Sequence, residues 1–495
     1  MPPAQHPDPP TSATRIDPQD LETTLRILAT LSELDETDPD FAAVRHATAK
    51  MFKSVKVSRR TEKRRAIADA DRSVIAATAT GAPTRIDDET RGAELTRSTD
   101  APVAGELLIA RPCYICKQRY TLVDAFYHQL CPSCAAMSHA KRDARTDLTG
   151  KRALLTGGRA KIGMYIALRL LRDGAHTTIT TRFPRDAVRR FAAMTDSGEW
   201  MHRLRIVGID LRDPAQVIGL ADSVAEQGPL DILINNAAQT VRRSPGAYSP
   251  LVEAERSPLP DGPLPELVTF GHTNDAHPLA LAASVASHPI LAAAGGGAMT
   301  AEDLTNLAMS HGSSSLDRLA AGTAIDAGGL VPDLHGVNSW TANVQDVEPL
   351  EMLEVQLCNT TAPFLLVSRL RASLVASSAR RTYIVNVSAM EGVFTRGYKG
   401  PGHPHTNMAK AALNMLTRTS AKELLSDRIL MTSVDTGWIT DERPHPTKVR
   451  LAEEGFHAPL DLVDGAARVY DPIVRGEGGE DVHGVFLKDY EPADW

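Results

Sequence analysis

The chain has 495 residues, 42% hydrophobic and 23% charged, which is typical of a globular protein with more than one structural unit. A formal net charge of −7 gives no general attraction for nucleic acid or an anionic membrane. No apolar run reaches transmembrane length, and the N-terminus lacks the apolar core of a signal peptide. Composition therefore favours a cytoplasmic protein and gives no support for nucleic-acid or membrane partners.

The N-terminal region divides by composition. Residues 1–20 are rich in proline and polar groups, which predicts a disordered tail. Residues 21–105 are predicted to form a helical region, broken at residues 35–40, that ends in a polar linker from residue 78. A basic run over residues 50–65 is typical of a solvated helix face. The alternative is a docking surface for a protein partner or another subunit.

Residues 106–147 contain four of the five cysteines, as the pairs Cys113-x-x-Cys116 and Cys131-x-x-Cys134. Each pair is a tight turn that points two thiolates at one ion, and two such pairs make a closed tetrahedral zinc site. The spacing predicts a zinc-ribbon-like segment with one structural Zn²⁺ and a hairpin between the pairs. Incidental thiol pairs and a redox dithiol are the alternatives. Cys358 lies alone in an apolar helix and is interpreted as core.

From residue 148 to 495 apolar strands alternate with helical patterns. This alternation predicts an α/β fold with a doubly wound parallel sheet of the Rossmann type. The predicted strands are Ala153–Leu155, His176–Thr181, Leu204–Ile209, Leu230–Ile234, Thr382–Val387, Leu430–Val434 and Val485–Lys488. A stretch at about 241–345, rich in Pro, Ala, Gly and Ser, interrupts the pattern after the fourth strand. We interpret it as an insertion that caps the site or mediates assembly.

A glycine-rich turn follows the first of these strands. Thr156-Gly157-Gly158-Arg159-Ala160-Lys161-Ile162-Gly163 opens an amphipathic helix, where backbone N–H groups can bind a pyrophosphate. The second strand ends at Arg182, where NAD-binding proteins carry an acid for the ribose hydroxyls. An arginine there favours the 2′-phosphate of NADP over NAD, and Arg159 and Lys161 add positive charge. Arg182 as a merely exposed residue is the alternative.

These pieces, in this order, resemble the short-chain dehydrogenase/reductase superfamily. Thr156, Gly157 and Gly163 match its glycine motif, although Lys161 stands where the family has the middle glycine. Asn235-Asn236-Ala237-Ala238 and Gly437-Trp438-Ile439-Thr440 resemble its cofactor segments. The resemblance implies the following cofactor-binding residues: Thr156, Gly157, Arg159, Lys161, Ile162, Gly163, Arg182, Asp210, Leu211, Asn236, Ala237, Lys410 and Thr440.

The catalytic set matches only in part. Lys410 fits the family's lysine and Asn359 its helix asparagine, which would hold a relay water. Thr406 stands where the family has its tyrosine, and Ala389 where it has its serine. Hydride transfer to a carbonyl still needs a proton donor. The candidates near Lys410 form a short list: Tyr398, His403 and His405. Tyr398 preserves the family's chemistry best; the alternative is that all three only shape the helix entry.

The sequence thus predicts an NADP-dependent oxidoreductase that acts on a small-molecule carbonyl, alcohol or enoyl substrate. The rival hypothesis is an inactive dinucleotide-binding scaffold on the same fold, since the tyrosine and serine are missing. Its protein partner would dock on the N-terminal helices or the insertion. The resemblance also implies a homo-oligomer.

Overall fold

The computed structural model describes residues 16–83, 85, 102–270, 300–310, 312–439 and 442–495. It contains two compact units, one ending at Ala70 and one from Asp71 to Trp495. In the first unit α1 (Pro18–Thr30) begins because Asp17 accepts a hydrogen bond from the N–H of Gln19 and proline occupies the first turn. The helix therefore starts inside the segment predicted as a tail. The longer α2 (Pro39–Ala76) follows after a break near the predicted position.

The four cysteines lie on a small antiparallel hairpin and the helix after it. β1 (Val103–Pro112) pairs with β2 (Arg119–Asp124), and α3 (Pro132–Asp143) follows. The first cysteine pair forms the turn between the strands, and the second lies at the N-terminus of α3. The prediction of a hairpin between the pairs was wrong, because the hairpin starts before the first pair and a helix begins at the second.

A nine-stranded sheet forms the centre of the second unit. Its order is β11-β10-β9-β8-β6-β3-β4-β5-β7, parallel throughout except for β11. This confirms the predicted α/β fold with a doubly wound sheet. The strands are β3 (Arg152–Leu155), β4 (His176–Thr181), β5 (Leu204–Gly208), β6 (Ile232–Asn235), β7 (Glu266–Thr269), β8 (Thr382–Ser388), β9 (Ile429–Asp435), β10 (Phe486–Lys488) and β11 (Glu491–Ala493).

Helices cover both faces of this sheet. The described helices of the unit, after α3, are α4 (Lys161–Arg172), α5 (Pro184–Ala192), α6 (Ser197–Trp200), α7 (Pro214–Glu226), α8 (Ser249–Arg256), α9 (Ala301–Met309), α10 (Leu316–Ala320), α11 (Pro349–Gln356), α12 (Ala362–Val375), α13 (Pro404–Ser426), α14 (His445–Glu453) and α15 (Leu462–Glu477). α4 and α15 pack together on one face, and α7, α12 and α13 pack on the other. Each face has its own apolar core.

The insertion contributes to the sheet itself. β7 lies within it and pairs in parallel with β5 as an extra edge strand. This strand was not predicted, because only Leu267 and Val268 are apolar in its four residues and a proline-rich segment precedes it. α8, α9 and α10 also belong to the insertion. No helix of the described ranges has the length and apolarity needed to span a bilayer.

The cysteine-bearing segment docks on α15 through buried polar contacts. The hydroxyl of Tyr127 donates to Asp464 over 2.6 Å, and the guanidinium of Arg142 lies 2.5 Å from Asp461 and 3.3 Å from Asp464. The two aspartates are fully buried. Removing one partner of such a pair would leave a charge without compensation, so these contacts fix the segment on the sheet domain.

Candidate functional site

The glycine-rich turn has the tight geometry that its sequence predicts. Gly157 has a φ of +71°, and a Cβ there would lie 3.0 Å from the backbone of Ala237. A Cβ on Gly163 would lie only 1.9 Å from the carbonyl oxygen of Gly157. Lys161 has a φ of +52°, a left-handed conformation that costs a non-glycine residue about 1 kcal/mol. The lysine therefore keeps the backbone shape that the family's glycine provides.

Hydrogen bonds attach this turn to the neighbouring strand. The hydroxyl of Thr156 accepts from the N–H groups of Asn236 and Ala237, both over 3.0 Å. The amide of Asn236 donates back to the carbonyls of Thr156 and Gly157. The first N–H groups of α4 have no partner inside the helix and form a site for an anion. Four predicted cofactor residues thus act as one rigid unit.

A cleft of ≈ 1450 Å³ lies at the carboxyl ends of the strands, beside the turn. The predicted cofactor residues that line it are Gly157, Arg159, Lys161, Ile162, Gly163, Arg182, Asp210, Leu211, Asn236 and Ala237. Thr156 and Lys410, the latter on α13, are buried and do not line the cleft, and Thr440 lies outside the described residues. The volume of the cleft is sufficient for a dinucleotide, since ligand sites commonly measure about 300–1000 Å³.

Arg182 is a cation held by aromatic rings rather than by acids. Its guanidinium lies 5.6 Å from the ring centre of Phe183 and 5.5 Å from that of Tyr248. One nitrogen is 3.5 Å from the Tyr248 hydroxyl. Among the described residues, no carboxylate forms an ion pair with Arg182. Its charge therefore remains available to a ligand in the cleft.

Arg159 and Lys161 are placed differently from the sequence-based interpretation. Arg159 lies 2.5 Å from Asp186 and donates to the carbonyl of Gly328 in the insertion. Burial lowers the pKa of its guanidinium. The ammonium of Lys161 lies 3.7 Å from Asp326. Both cations line the cleft but hold the insertion against the turn, so neither offers a free charge to a phosphate.

Asp210 also has a partner in place. Its carboxylate lies 2.6 Å from the guanidinium of Arg212, which in turn contacts Glu354. Burial alone would raise the pKa of Asp210, but the hydrogen bonds and charge of Arg212 lower it to about 2. The acid is therefore ionised and fixed at the cleft wall.

Lys410 projects from α13 into a polar, buried region. Its ammonium donates to the carbonyl of Val387 over 2.8 Å, and burial lowers its pKa to about 8. The hydroxyls of Thr406 and Ser388 are buried and have no hydrogen-bond partner among the described residues. Ala389 has no group for acid–base chemistry. The lysine is present as the resemblance implies, without the usual tyrosine and serine.

The three candidate donors lie in different environments. Tyr398 is 76% exposed and does not line the cleft. His403 stacks on Trp340 at 3.8 Å, and its Nδ1 is 2.9 Å from the Trp340 carbonyl oxygen, so it anchors the end of the insertion. His405 is 2% exposed, and its Nε2 lies 3.7 Å from the carboxylate of Glu351. Of the three, only His405 contacts an acid that lines the cleft.

Glu351 is a site residue that sequence reasoning missed. Burial alone would raise its pKa, but contacts with His405 and Ser339 lower it. It lies on α11, and no sequence motif links that helix to the start of α13. Only the folded chain brings the two side chains together.

Asn359 braces the site from a π-helical turn, Leu357–Thr361. Its side-chain oxygen accepts from the N–H of Gln239 over 2.7 Å, and its amide donates to the Gln239 carbonyl over 3.0 Å. The predicted role was to hold a relay water. The side chain fixes the loop after β6 at the cleft, and the relay-water role stays a prediction.

The four paired cysteines meet as predicted. Their sulfur atoms all lie within 4.8 Å of one another, and the sulfurs of Cys116 and Cys131 are 3.6 Å apart. A tetrahedral zinc–thiolate site, with Zn–S bonds of about 2.3 Å, needs a sulfur spacing of roughly 3.8 Å. The N–H of Cys131 also donates to the sulfur of Cys113 over 3.4 Å, which favours a thiolate. The donor set therefore fits a closed metal site.

The family model described as short chain dehydrogenase matches residues 151–251, which include the glycine turn and β3 to β6. The chain belongs to the short-chain dehydrogenase/reductase superfamily. An uncharacterized protein of Acanthamoeba polyphaga mimivirus is 30% identical to this chain over 380 residues, which are 73% of this chain and 71% of the viral protein.

Other relatives of this dehydrogenase-family chain match shorter regions. A peroxisomal 2,4-dienoyl-CoA reductase of Pongo abelii is 33% identical over 131 residues, which are 26% of this chain and 39% of that protein. The chain thus spans well under half of that relative. A short-chain dehydrogenase from Burkholderia cenocepacia, solved in complex with NADP, has 20% identity and a TM-score of 0.42, covering 69% of this chain and 97% of its own.

Proposed function

We propose that the protein is an NADP-dependent oxidoreductase that transfers hydride between the cofactor and a carbonyl, alcohol or enoyl substrate. Arg182 is the observation that carries this proposal. Its guanidinium lines the cleft, packs on two aromatic rings and has no ion-pair partner among the described residues, so it can pair with an anion that binds there. Its place at the end of β4, beside the glycine turn, suits the 2′-phosphate that distinguishes NADP from NAD.

The residues present fit the dinucleotide. The N-terminus of α4 would hold the pyrophosphate, Arg182 the 2′-phosphate, and Lys410 the nicotinamide ribose. The bound cofactor supplies the hydride. Asn236 and Ala237 keep the turn in shape, and Asn359 keeps the loop after β6 in place. These residues would orient the reactants.

We further propose that Glu351 and His405 together replace the missing tyrosine as the proton source. Reduction of a carbonyl places negative charge on its oxygen, which must receive a proton. Glu351 lines the cleft, and the Nε2 of the buried His405 lies 3.7 Å behind its carboxylate, so the two side chains would relay a proton to the substrate after closing to hydrogen-bond distance. The charge of Lys410 would favour the developing oxyanion.

The cysteine cluster supports a structural Zn²⁺ as a second bound group. Cys113, Cys116, Cys131 and Cys134 fill all four positions of a tetrahedral ion, so no position is left for a substrate. The metal would supply folding free energy to the segment rather than chemistry.

The enzymatic proposal is tested by NADPH oxidation with a panel of aldehydes, ketones and enoyl thioesters. Glu351→Gln and His405→Asn should each lower the rate by about 10²–10⁴-fold, the range expected for a general acid. Tyr398→Phe is the matched control and should change the rate by less than about twofold. Full activity in both Glu351→Gln and His405→Asn would refute the assigned proton source.

A dinucleotide-binding scaffold without catalysis is the second candidate. Thr406 and Ala389, in place of tyrosine and serine, favour it directly. Within the N-terminal unit, Leu25, Leu28 and Phe52 are exposed and suit a protein partner. NADPH binding without turnover of any substrate in the panel would support the scaffold over the enzyme.

A further inference from the structure

The turn between the first two cysteines reaches the segment after β9. Tyr114 stands between Cys113 and Cys116, and its hydroxyl accepts a hydrogen bond from the backbone N–H of Trp438 over 2.9 Å. Trp438 belongs to the segment Gly437–Ile439, which follows the carboxyl end of β9 at the edge of the sheet where the cleft opens. A residue of the metal-binding turn therefore fixes the backbone of this segment directly.

The apolar core around the cysteines extends to the cofactor turn. Ile439 is 3% exposed and packs in one cluster with Cys113, Cys131 and Cys134, and Ile162 packs against the same cluster. Ile162 lies in the glycine-rich turn and lines the cleft. The cysteine core thus supports both the turn at the pyrophosphate site and the segment after β9.

A second group of hydrogen bonds joins the cysteine-bearing part of the chain to residues 457–460. Arg85 donates to the carbonyls of Ala458 and Leu460, and Gln129 donates to that of His457. Leu460 is fully buried in the cysteine core, and its N–H donates to the Trp438 carbonyl over 3.3 Å. Trp438 is therefore held on both sides of its backbone. Its N–H donates to Tyr114 of the cysteine turn, and its carbonyl accepts from Leu460, which lies in the cysteine core.

We propose that Tyr114 is a positioning residue for the nicotinamide half of the dinucleotide site, and that metal binding at the four cysteines sets its position. This inference rests on the proposed function. Without an ion no bonds join the four cysteine sulfurs, so the turn loses the cross-links that hold its shape and its folding depends on the metal. Without the metal, the segment 437–439 loses its anchor and must be ordered when the cofactor binds. Loss of the Tyr114 hydroxyl alone leaves the adenosine half, held by Arg182, in place.

Two ligands separate the two halves of the site. Adenosine 2′,5′-bisphosphate carries only the adenosine half, whereas NADPH carries both. In Tyr114→Phe, affinity for adenosine 2′,5′-bisphosphate should stay unchanged, and affinity for NADPH should fall by about 2- to 12-fold, the effect of losing one hydrogen bond. Zinc content should remain that of the wild type, because Tyr114 is not a ligand. Extraction of the zinc with a chelator should lower NADPH affinity at least as much, and should also weaken adenosine 2′,5′-bisphosphate, because Ile162 of the glycine-rich turn packs on the cysteine core.

Tyr120→Phe is the matched control. Tyr120 lies in the same segment and is buried, but its hydroxyl donates to the His128 carbonyl over 2.9 Å. It should leave both affinities unchanged. Equal loss of NADPH affinity in the two variants, or equal loss of both ligands in Tyr114→Phe, would overturn the proposal, because either result would indicate general destabilisation.

Hydrogen exchange at the Trp438 amide gives a readout that needs no cofactor. Exchange should be faster in Tyr114→Phe and after zinc extraction, and unchanged in Tyr120→Phe. Unchanged exchange in Tyr114→Phe would overturn the inference. If the wild type binds no dinucleotide, the proposed function fails, while this measurement still decides whether the cysteine turn orders the segment.

Discussion

Removal of the Arg182 side chain should convert an NADP-selective site into a non-selective one. The guanidinium lies between two aromatic rings and has no carboxylate partner among the described residues, so its charge is available to a 2′-phosphate. A charge-assisted hydrogen bond of this kind contributes about 1.5–3 kcal/mol. Arg182→Ala should therefore weaken NADPH by roughly 10- to 150-fold and leave NADH within about twofold.

Calorimetric titration of both cofactors checks this expectation. Arg242→Ala is a suitable control, since Arg242 lines the same cleft but already has Glu348 and Glu354 as partners. It should change neither affinity by more than about twofold. Equal affinities of the wild type for NADPH and NADH would refute the reasoning, and so would an equal loss of both in Arg182→Ala.

Three further predictions follow from the buried groups. Cys113→Ser should abolish zinc binding and lower the melting temperature by several degrees, as measured by metal analysis and calorimetry; retained zinc with unchanged stability would contradict the four-cysteine site. Lys410→Met should lower turnover by at least about 100-fold without unfolding the protein, in a rate assay with circular dichroism as a control; full turnover would contradict the role of the lysine. Burial, with Asp489 nearby, raises the pKa of Asp435 in the folded protein to about 6. The stabilisation that comes from its protonated form is therefore complete below pH ~4, near the pKa of the unfolded chain, and is lost as the pH rises through about 6. Between pH 4 and 7 the wild type should lose roughly 2–3 kcal/mol of stability relative to Asp435→Asn in urea unfolding, and parallel pH profiles would contradict the raised pKa.

The elements of the sheet were predictable where the sequence signal was local. Buried parallel strands appear as short apolar runs, and the glycine turn after β3 requires glycine at Gly157 and Gly163 for steric reasons visible in the motif itself. The edge strand β7 gave no such signal, because an edge strand is only partly buried and can be short. The start of α3 was also marked in the sequence, by Pro132 directly after a cysteine.

The sequence predicted which charged residues line the site, but not which residues form ion pairs with them. Arg159 and Lys161 looked like phosphate ligands, yet Asp186 and Asp326, which neutralise them, lie about 25 and 165 residues away in the chain. Tyr398 was favoured because a phenol beside Lys410 would preserve the family's chemistry, but its side chain is exposed in the folded protein. His405 and Glu351 are brought together by the packing of two helices, which no single-sequence pattern encodes.

A crystal structure of the protein grown with NADPH tests the central claim most directly. We predict that the pyrophosphate binds at the N-terminus of α4, that the 2′-phosphate lies within hydrogen-bond distance of Arg182, and that the nicotinamide lies between Lys410 and the segment after β9. A cleft that excludes NADPH, with the insertion residues around Asp326 and Gly328 filling the place of the pyrophosphate, would contradict the account.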